Sequence, residues 1–331
     1  MKAILMTQPG LPDLLELRDI EELAITEPSQ IKVRLRAAGI NPVDTKIRRN
    51  GLFYPNPLPA VLGCDGAGEV VEIGGAVSRF NIGDSVWFCH GGLGGDQGNY
   101  AEYTVLDERW AAPMPQSLDF EHAAAAPLVL ITAWGALYDR GRLQAGQTVL
   151  IHAAAGGVGH VAVQLAKLRD ARVLATVGSA EKAELAKNWG ADAAIDYRQE
   201  DFAQRVNELT DGQGADLVID TVGPDVFRHS IDCTAHFGDL VTLLDPGNIS
   251  LQEARMRNLR IGFELMLTPM LRNLHEARDH HVEILQQCGE WIDQGVLDIH
   301  VSQVLPLEKA AAAHALIETG HTTGKIVLKI S

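Results

Sequence analysis

The sequence predicts an α/β protein of two domains: a doubly wound parallel sheet, preceded by a β-rich domain. Three observations predict it. A β-branched run, Val149 to Ile151, leads directly into small residues, three glycines (Gly156, Gly157, Gly159) and an apolar helical pattern. Strand and helix patterns then alternate to about Leu265, as in sheets built from βαβ units. Before about residue 115, short strands separated by glycine turns dominate, which suits a barrel-type arrangement. A length of 331 residues accommodates two domains.

In chain order, Ile31, Val33 and Leu35 alternate with polar residues, the mark of a half-buried strand that ends at Gly39. Asn41-Pro42-x-Asp44 opens a helix, with Asn as the cap, Pro at the first position and an acid in the first turn. Gly51 to Leu62 is a loop carrying Pro55, Pro57 and Pro59. Strands follow at Glu69 to Ile73, around Asn81 to Trp87, and at Tyr100 to Leu106, with a glycine-rich loop from His90 to Asn99. Ser117 or Asp119 caps one long apolar helix through Ala123 to Leu137, which leads to Thr148. Further buried strands are expected at Arg172 to Val177, Asp216 to Asp220 and Asp239 to Leu244. The tail reads as a helix from Leu274 to Ile292, a strand at His300 to Leu305, a helix at Glu308 to Glu318 and a last strand at Lys325 to Ile330. It is expected to complete the first domain, so the domains are residues 1–124 with 267–331, and 125–266, with a cleft between them.

Residues Thr148 to Gly159 form strand, tight turn and helix, a geometry that lets backbone amides and a positive helix end meet a pyrophosphate. The glycine fingerprint is altered, reading Ala154-x-Gly156-x-x-Gly159. An NAD site carries Asp or Glu at the end of the second strand, roughly 20 residues on, to hold a ribose hydroxyl. Here Thr176-Val177-Gly178-Ser179 stands there without an acid; Asp170 precedes the strand and Glu181 lies inside the next helix. Ser179, Lys182 and Tyr197 suit a 2′-phosphate, so NADPH is the expected cofactor. Ser179 as helix cap and Lys182 as a solvated lysine are the plainer roles, and capping is compatible with phosphate contact.

The net charge of −15 and the absence of a basic run argue against nucleic acid or an anionic membrane as partner. Four dispersed cysteines, Cys64, Cys89, Cys233 and Cys288, contain no C-x-x-C and fit a reducing cytoplasm. The N-terminus lacks a secretory pattern, and the window Ala123 to Leu137 is too short to span a bilayer and holds Pro127 and Gly135.

Several stretches together carry a resemblance: AAGINPVDTKIR (37–48), YPNPLPAVLGCDGAGEVVEIG (54–74), GDSVW (83–87), NYAEY (99–103), AAAGGVG (153–159), GADAAIDY (190–197), DLVIDTVG (216–223) and GKIVL (324–328). Along essentially its whole length the chain resembles the medium-chain dehydrogenase/reductase superfamily, zinc-independent quinone oxidoreductase branch. The resemblance implies a GroES-like catalytic domain, a Rossmann cofactor domain and a dimer or tetramer. Zinc-dependent relatives carry a cysteine where Asn41 stands, a His-Glu pair at Cys64-Asp65 and a cysteine near Leu128, so no metal is expected. Cys64 then reads as a small, partly buried residue lining the cleft, and His275, His280 and His281 as a solvated helix face.

By the same resemblance, Gly156, Gly157, Val158 and Gly159 would meet the pyrophosphate, and Ser179, Lys182 and Tyr197 the 2′-phosphate. Leu243, placed in the strand after DTVG, would lie near the nicotinamide, and Thr132 either contacts its ribose or packs its helix. The expected reaction is NADPH-dependent reduction of a quinone or α,β-unsaturated carbonyl compound. Without a Lewis acid, the developing oxyanion needs hydrogen-bond donors, for which Asn41 and Tyr54 are the candidates. Asp44 is expected to cap its helix and orient Asn41 in preference to transferring a proton; Tyr54 as donor and Tyr54 as pocket wall both fit. Loops around 52–58, 90–98 and 245–270 would shape the pocket. An alcohol dehydrogenase with a degenerate zinc site and a non-catalytic, crystallin-like NADPH-binding protein are the alternatives. The apolar run Leu259 to Leu267, at the sheet's expected edge, would pair two copies into a homodimer.

Overall fold

The structure, a computed structural model, describes residues 1–54 and 58–331; Pro55 and Pro57 of the expected loop, and that part of the 52–58 pocket segment, lie outside the described residues. Two compact units are formed, one from Met1–Leu128 with Leu267–Ser331 and the other from Val129–Met266.

The first unit begins with β1 (Lys2–Met6), β2 (Leu15–Asp19) and the long β3 (Gln30–Ile40), followed by helix α1 (Pro42–Asn50). Then come β4 (Ala60–Val61), β5 (Asp65–Ile73), β6 (Ser85–Cys89), β7 (Tyr103–Asp107) and β8 (Ala112–Pro113). Ile31, Val33 and Leu35 are all buried in β3, as their alternation requires. Strand β5 begins four residues before the expected Glu69. The glycines at 66 and 68 are tolerated there because the neighbours press close: a Cβ on Gly68 would stand 2.1 Å from the Arg34 carbonyl oxygen.

Ala123 to Leu137 is not one helix. Helix α2 (Phe120–Ala125), capped by Asp119 through the His122 amide at 2.8 Å, stops before Pro127. Pro127 has no N–H to donate and instead starts α3 (Pro127–Trp134), which passes into a π-helical stretch, Gly135–Arg140. Gly135 in that stretch leaves room for the Glu264 carboxyl, which a Cβ would meet at 2.7 Å and push aside.

The second unit alternates β9 (Thr148–Ile151), α4 (Gly157–Leu168), β10 (Arg172–Val177), α5 (Ala180–Asn188), β11 (Ala193–Asp196) and α6 (Phe202–Leu209). It continues with β12 (Ala215–Asp220), α7 (Pro224–Ser230), β13 (Thr234–Thr242), α8 (Gln252–Met256) and β14 (Arg260–Phe263). All its strand pairs are parallel, in the order β11-β10-β9-β12-β13-β14. The order reverses between β9 and β12, which is where doubly wound sheets place their ligand crevice. Leu150, Leu174, Val218 and Leu240 from four strands pack on Phe202, Val206 and Phe227 from the helices. Strand β13 starts five residues before the expected Asp239 and ends two before Leu244; β14 is shorter than Leu259 to Leu267, and it does stand at the sheet's edge.

The chain then returns to the first unit as α9 (Thr268–Leu271), α10 (His275–Asp293), β15 (Val301–Pro306), α11 (Ala310–Glu318) and β16 (Lys325–Lys329). Strand β16 pairs antiparallel with β3 and parallel with β15, in a sheet ordered β15-β16-β3-β5-β6-β8, with β7 also on β3. A smaller sheet has the order β2-β1-β4. No helix among the described residues is long and apolar enough to cross a membrane.

Candidate active site

In the second unit the turn after β9 is braced from beneath. His152, buried, places Nδ1 3.0 Å from the Thr176 hydroxyl and Nε2 2.9 Å from the Ser230 hydroxyl. Ser230 donates its own proton to the Val226 carbonyl, so Nε2 carries the imidazole proton and Nδ1 accepts from Thr176. Burial, with His229 nearby, pulls the His152 pKa down to about 3, so the ring is neutral. Thr176 Oγ1 accepts from the Ala153 amide at 3.1 Å, and the Ala154 amide donates to the Thr176 carbonyl at 3.0 Å. Ala153 takes a left-handed φ of 48°. The altered fingerprint is therefore held by a His-Thr-Ser network that the sequence reading missed, because three residues so far apart leave no local pattern.

Gly156 caps α4, and Gly157, Val158 and Gly159 form its first turn, whose amides have no intrahelical acceptor. A Cβ on Gly159 would stand 2.3 Å from the Ala153 carbonyl oxygen, so only glycine lets the helix lie so close to the turn. This cradle fits a pyrophosphate.

At the end of β10 three expected residues converge. Ser179 Oγ accepts from the Lys182 amide at 3.2 Å and so caps α5. Tyr197, half exposed, lays its hydroxyl 2.7 Å from where a Gly178 Cβ would sit. Burial lowers the Lys182 pKa, and the adjacent Arg198 lowers it further. Arg198, a second cation at this end, was missed by the sequence reading, which stopped the motif at Tyr197. Two acids lie nearby: Glu181, which raises the Lys182 pKa through space, and Asp196, which is turned into its own loop, accepting from the Arg198 amide at 3.1 Å and the Gln199 side chain at 2.7 Å. The donor set fits a phosphate monoester.

Leu243 lies one residue beyond β13, not within it, with its amide on the Asp220 carbonyl at 3.0 Å. The Asp220 carboxylate, fully buried, accepts from Val222, Gly223 and Thr242, fixing the loops after β12 and β13. Thr132 is buried on α3.

In the first unit Asn41 and Asp44 form a capping box at the start of α1. The Asn41 amide nitrogen donates to Asp44 Oδ2 at 2.8 Å, its Nδ2 donates to Asp65 Oδ2 at 2.8 Å, and its Oδ1 accepts from Lys325. Asp65 also accepts from the Leu128 amide at 2.8 Å and lies 3.5 Å from Lys325 Nζ. Tyr100 donates to Asp44 at 2.9 Å and lies 3.2 Å from His314 Nε2. All six of these side chains are buried. Burial raises the Asp44 pKa to about 7; it also raises Asp65, though Lys325 opposes it. Asp44 thus holds the cap. Asn41, expected to donate to substrate, spends its side chain on Asp65 and Lys325 and has no exposed surface.

Tyr54, half-buried, stands apart from that cluster and donates its one proton to the Met270 carbonyl at 2.8 Å. Tyr54 has no second proton to give, and the remaining Nδ2 proton of Asn41 sits on a side chain with no exposed surface; sequence could not show which backbone or carboxyl groups would claim these side chains. Cys64 is fully buried, not partly, with its thiol on that of Cys89. The His275, His280 and His281 face is not uniformly solvated: His275 stacks on Trp110 at 6.0 Å, and burial holds half-buried His281 down at about 4. No group of three His, Cys, Asp or Glu that could hold a metal ion occurs among the described residues. The carboxyl of Asp65 is already occupied by three donors, so a zinc ion does not fit here.

Residues 27–116 match the alcohol dehydrogenase GroES-like domain family, and residues 189–328 match the zinc-binding dehydrogenase family. A quinone oxidoreductase of Pseudomonas aeruginosa is 40% identical over 331 residues, covering 99% of each chain. A 2-haloacrylate reductase of a Burkholderia species is 34% identical over 324 residues, covering 93% of each. The solved structure of Escherichia coli quinone oxidoreductase complexed with NADPH superposes with a TM-score of 0.88 at 31% identity, covering 100% of both chains. With a GroES-like β unit and a Rossmann unit in place, the chain belongs to the quinone oxidoreductase branch of the medium-chain dehydrogenase/reductase superfamily.

Proposed function

We propose that this oxidoreductase uses NADPH in preference to NADH and reduces quinones or α,β-unsaturated carbonyl compounds without a metal ion. The observation that carries the cofactor reading is the end of β10, where Ser179, Lys182, Tyr197 and Arg198 gather and the strand itself ends without an acid. The NADPH named for the Escherichia coli structure and the quinone activity named for the Pseudomonas relative support it.

When bound, the nicotinamide supplies the hydride. The amides of Gly157, Val158 and Gly159 receive the pyrophosphate, and Ser179, Lys182, Tyr197 and Arg198 neutralise the 2′-phosphate. Thr132 and Leu243 flank the nicotinamide half. With the Tyr54 proton on Met270 and the Asn41 amide on Asp65, these two shape the pocket and its cap, and the substrate takes its proton from water. The donor set around Asp65 supports metal-free reduction over zinc-assisted alcohol oxidation. We further read β14 as the edge through which two copies pair.

Calorimetric dissociation constants test the cofactor assignment. A charged hydrogen bond contributes roughly 1.5–3 kcal/mol, so Lys182→Ala should weaken NADPH about 10- to 150-fold and leave NADH nearly unchanged. Equal affinity of the unmutated protein for both cofactors would refute it.

A further inference from the structure

A pocket of about 170 Å³ opens in the first unit, an order of magnitude more than one water needs. Arg278, on the first turn of α10, lines it and is only 7% exposed. Its guanidinium carbon sits 3.5 Å from the centre of the Trp110 ring, and Nη2 donates to His90 Nδ1 at 2.8 Å. Arginine only donates, so Nδ1 accepts and His90 carries its proton on Nε2. Burial and Arg278 hold His90 down at about 3, while Arg278, lowered by burial to about 10, stays charged at neutral pH. The site therefore has one positive charge. Among the described residues no carboxylate lies within ion-pairing distance of it. Asp96, at the pocket's rim and 66% exposed in its side chain, approaches His90 Nε2 at 3.5 Å instead. Asp96 and Asp107 act on Arg278 only through space; a buried cation with no carboxylate in contact is costly, and stacking on Trp110 offsets only part of that cost.

We propose that this pocket binds the carboxylate of a small, largely apolar organic acid, with Arg278 as its counter-ion and Tyr54, Leu93 and Met270 around the hydrocarbon. A planar carboxylate matches the two-pronged guanidinium, and a single cation in an aromatic wall suits a monoanion better than a phosphate dianion. Asp96 supplies negative charge while the pocket is empty and, being exposed, can swing outward when an acid enters. The carboxylate belongs either to the reducible acceptor or to a separate acid, and two arms of one experiment tell these apart.

Titration calorimetry with benzoate, benzamide and inorganic phosphate tests the site without cofactor or turnover. Benzoate should bind at least about 10-fold more tightly than either of the others. Arg278→Gln should abolish that preference while NADPH binding, which reports an intact fold, is unchanged; Asp96→Asn should tighten benzoate several-fold. Equal affinity for benzoate and benzamide, phosphate binding as tightly as benzoate, no benzoate binding at millimolar concentration, or weaker binding by Asp96→Asn would each overturn it. In the kinetic arm, which alone rests on the reductase reading, NADPH oxidation is followed with crotonate and crotonamide. A higher kcat/KM for the acid, lost in Arg278→Gln, assigns the carboxylate to the acceptor. Benzoate binding that does not compete with an uncharged quinone assigns it to a separate acid.

Discussion

Tyr54 and Asn41 show how far a residue's chemistry can be read without its neighbours. Their types suit oxyanion stabilisation, but the Tyr54 proton goes to Met270 and the Asn41 amide to Asp65. Tyr54→Phe should therefore leave single-turnover NADPH oxidation by a quinone within a few-fold of the parent. The loss of roughly 100- to 1000-fold that follows removal of an oxyanion donor would restore the hydroxyl to the chemistry. At the nucleotide end the reading reached further. Ser179 and Lys182 follow from the strand end and the helix cap, Tyr197 from the motif GADAAIDY, and the three converge at the end of β10. The His152-Thr176-Ser230 brace did not follow from the sequence, because its three residues come from separate elements, and Arg198 did not, because it lies one residue beyond that motif.

Elements whose pattern is periodic and locally capped were legible; those shaped by contact with another element were not. Strand β10 is Arg172–Val177 as its pattern indicates, whereas the apolar stretch around Pro127 divides into α2, α3 and a π-helical segment fitted to Glu264. The approach of α4 to its turn yields a direct expectation. Gly159→Ala would place a methyl 2.3 Å from the Ala153 oxygen, forcing helix and turn apart. Both cofactors should then bind at least about 10-fold more weakly, as measured by calorimetry, because the pyrophosphate amides are displaced. Unchanged affinity would mean the turn gives way without moving the amides. At the sheet's other end, Phe263 and Leu265 are 59% and 51% exposed beside edge strand β14. Light scattering should show a dimer at micromolar concentration, and a monomer after Phe263→Asp with Leu265→Asp. A monomeric parent would contradict the edge pairing.

Over the whole molecule, buried ionisable groups set how stability follows pH. His90, His152 and His314 are depressed to about 3 and His281 to about 4, so the unfolded chain binds protons near pH 6.5 that the folded one refuses. Their contribution is complete above that pH and is lost as pH falls toward 3. Asp44 and Glu264, raised to about 7, and Asp65, also raised, act oppositely: their contribution is present in acid and is lost as pH rises through their folded values. Four histidines outweigh three carboxyls, so the melting temperature should rise from pH 5 to 6.5. Glu264→Gln, by removing an opposing group, should steepen the rise; circular dichroism melts at stepped pH would reveal a flat or falling curve if the balance is otherwise. None of this was readable from composition, since a histidine's pKa is decided by the depth at which the fold leaves it.

The position of β16 beside β3 bears on the order in which the protein is made. Residues 129–266 are contiguous, so that unit has all its strands as soon as it leaves the ribosome. The other unit does not. The last stretch of one edge of its longest strand, Ala37–Ile40, stays unpaired, and the Asn41 side-chain carbonyl lacks its ammonium partner, until Lys325 and the four residues after it have been synthesised. Between the synthesis of Met266 and that of Lys329 the chain is a complete second unit joined to a first unit whose sheet is still open, and chaperone capture should concentrate in that interval.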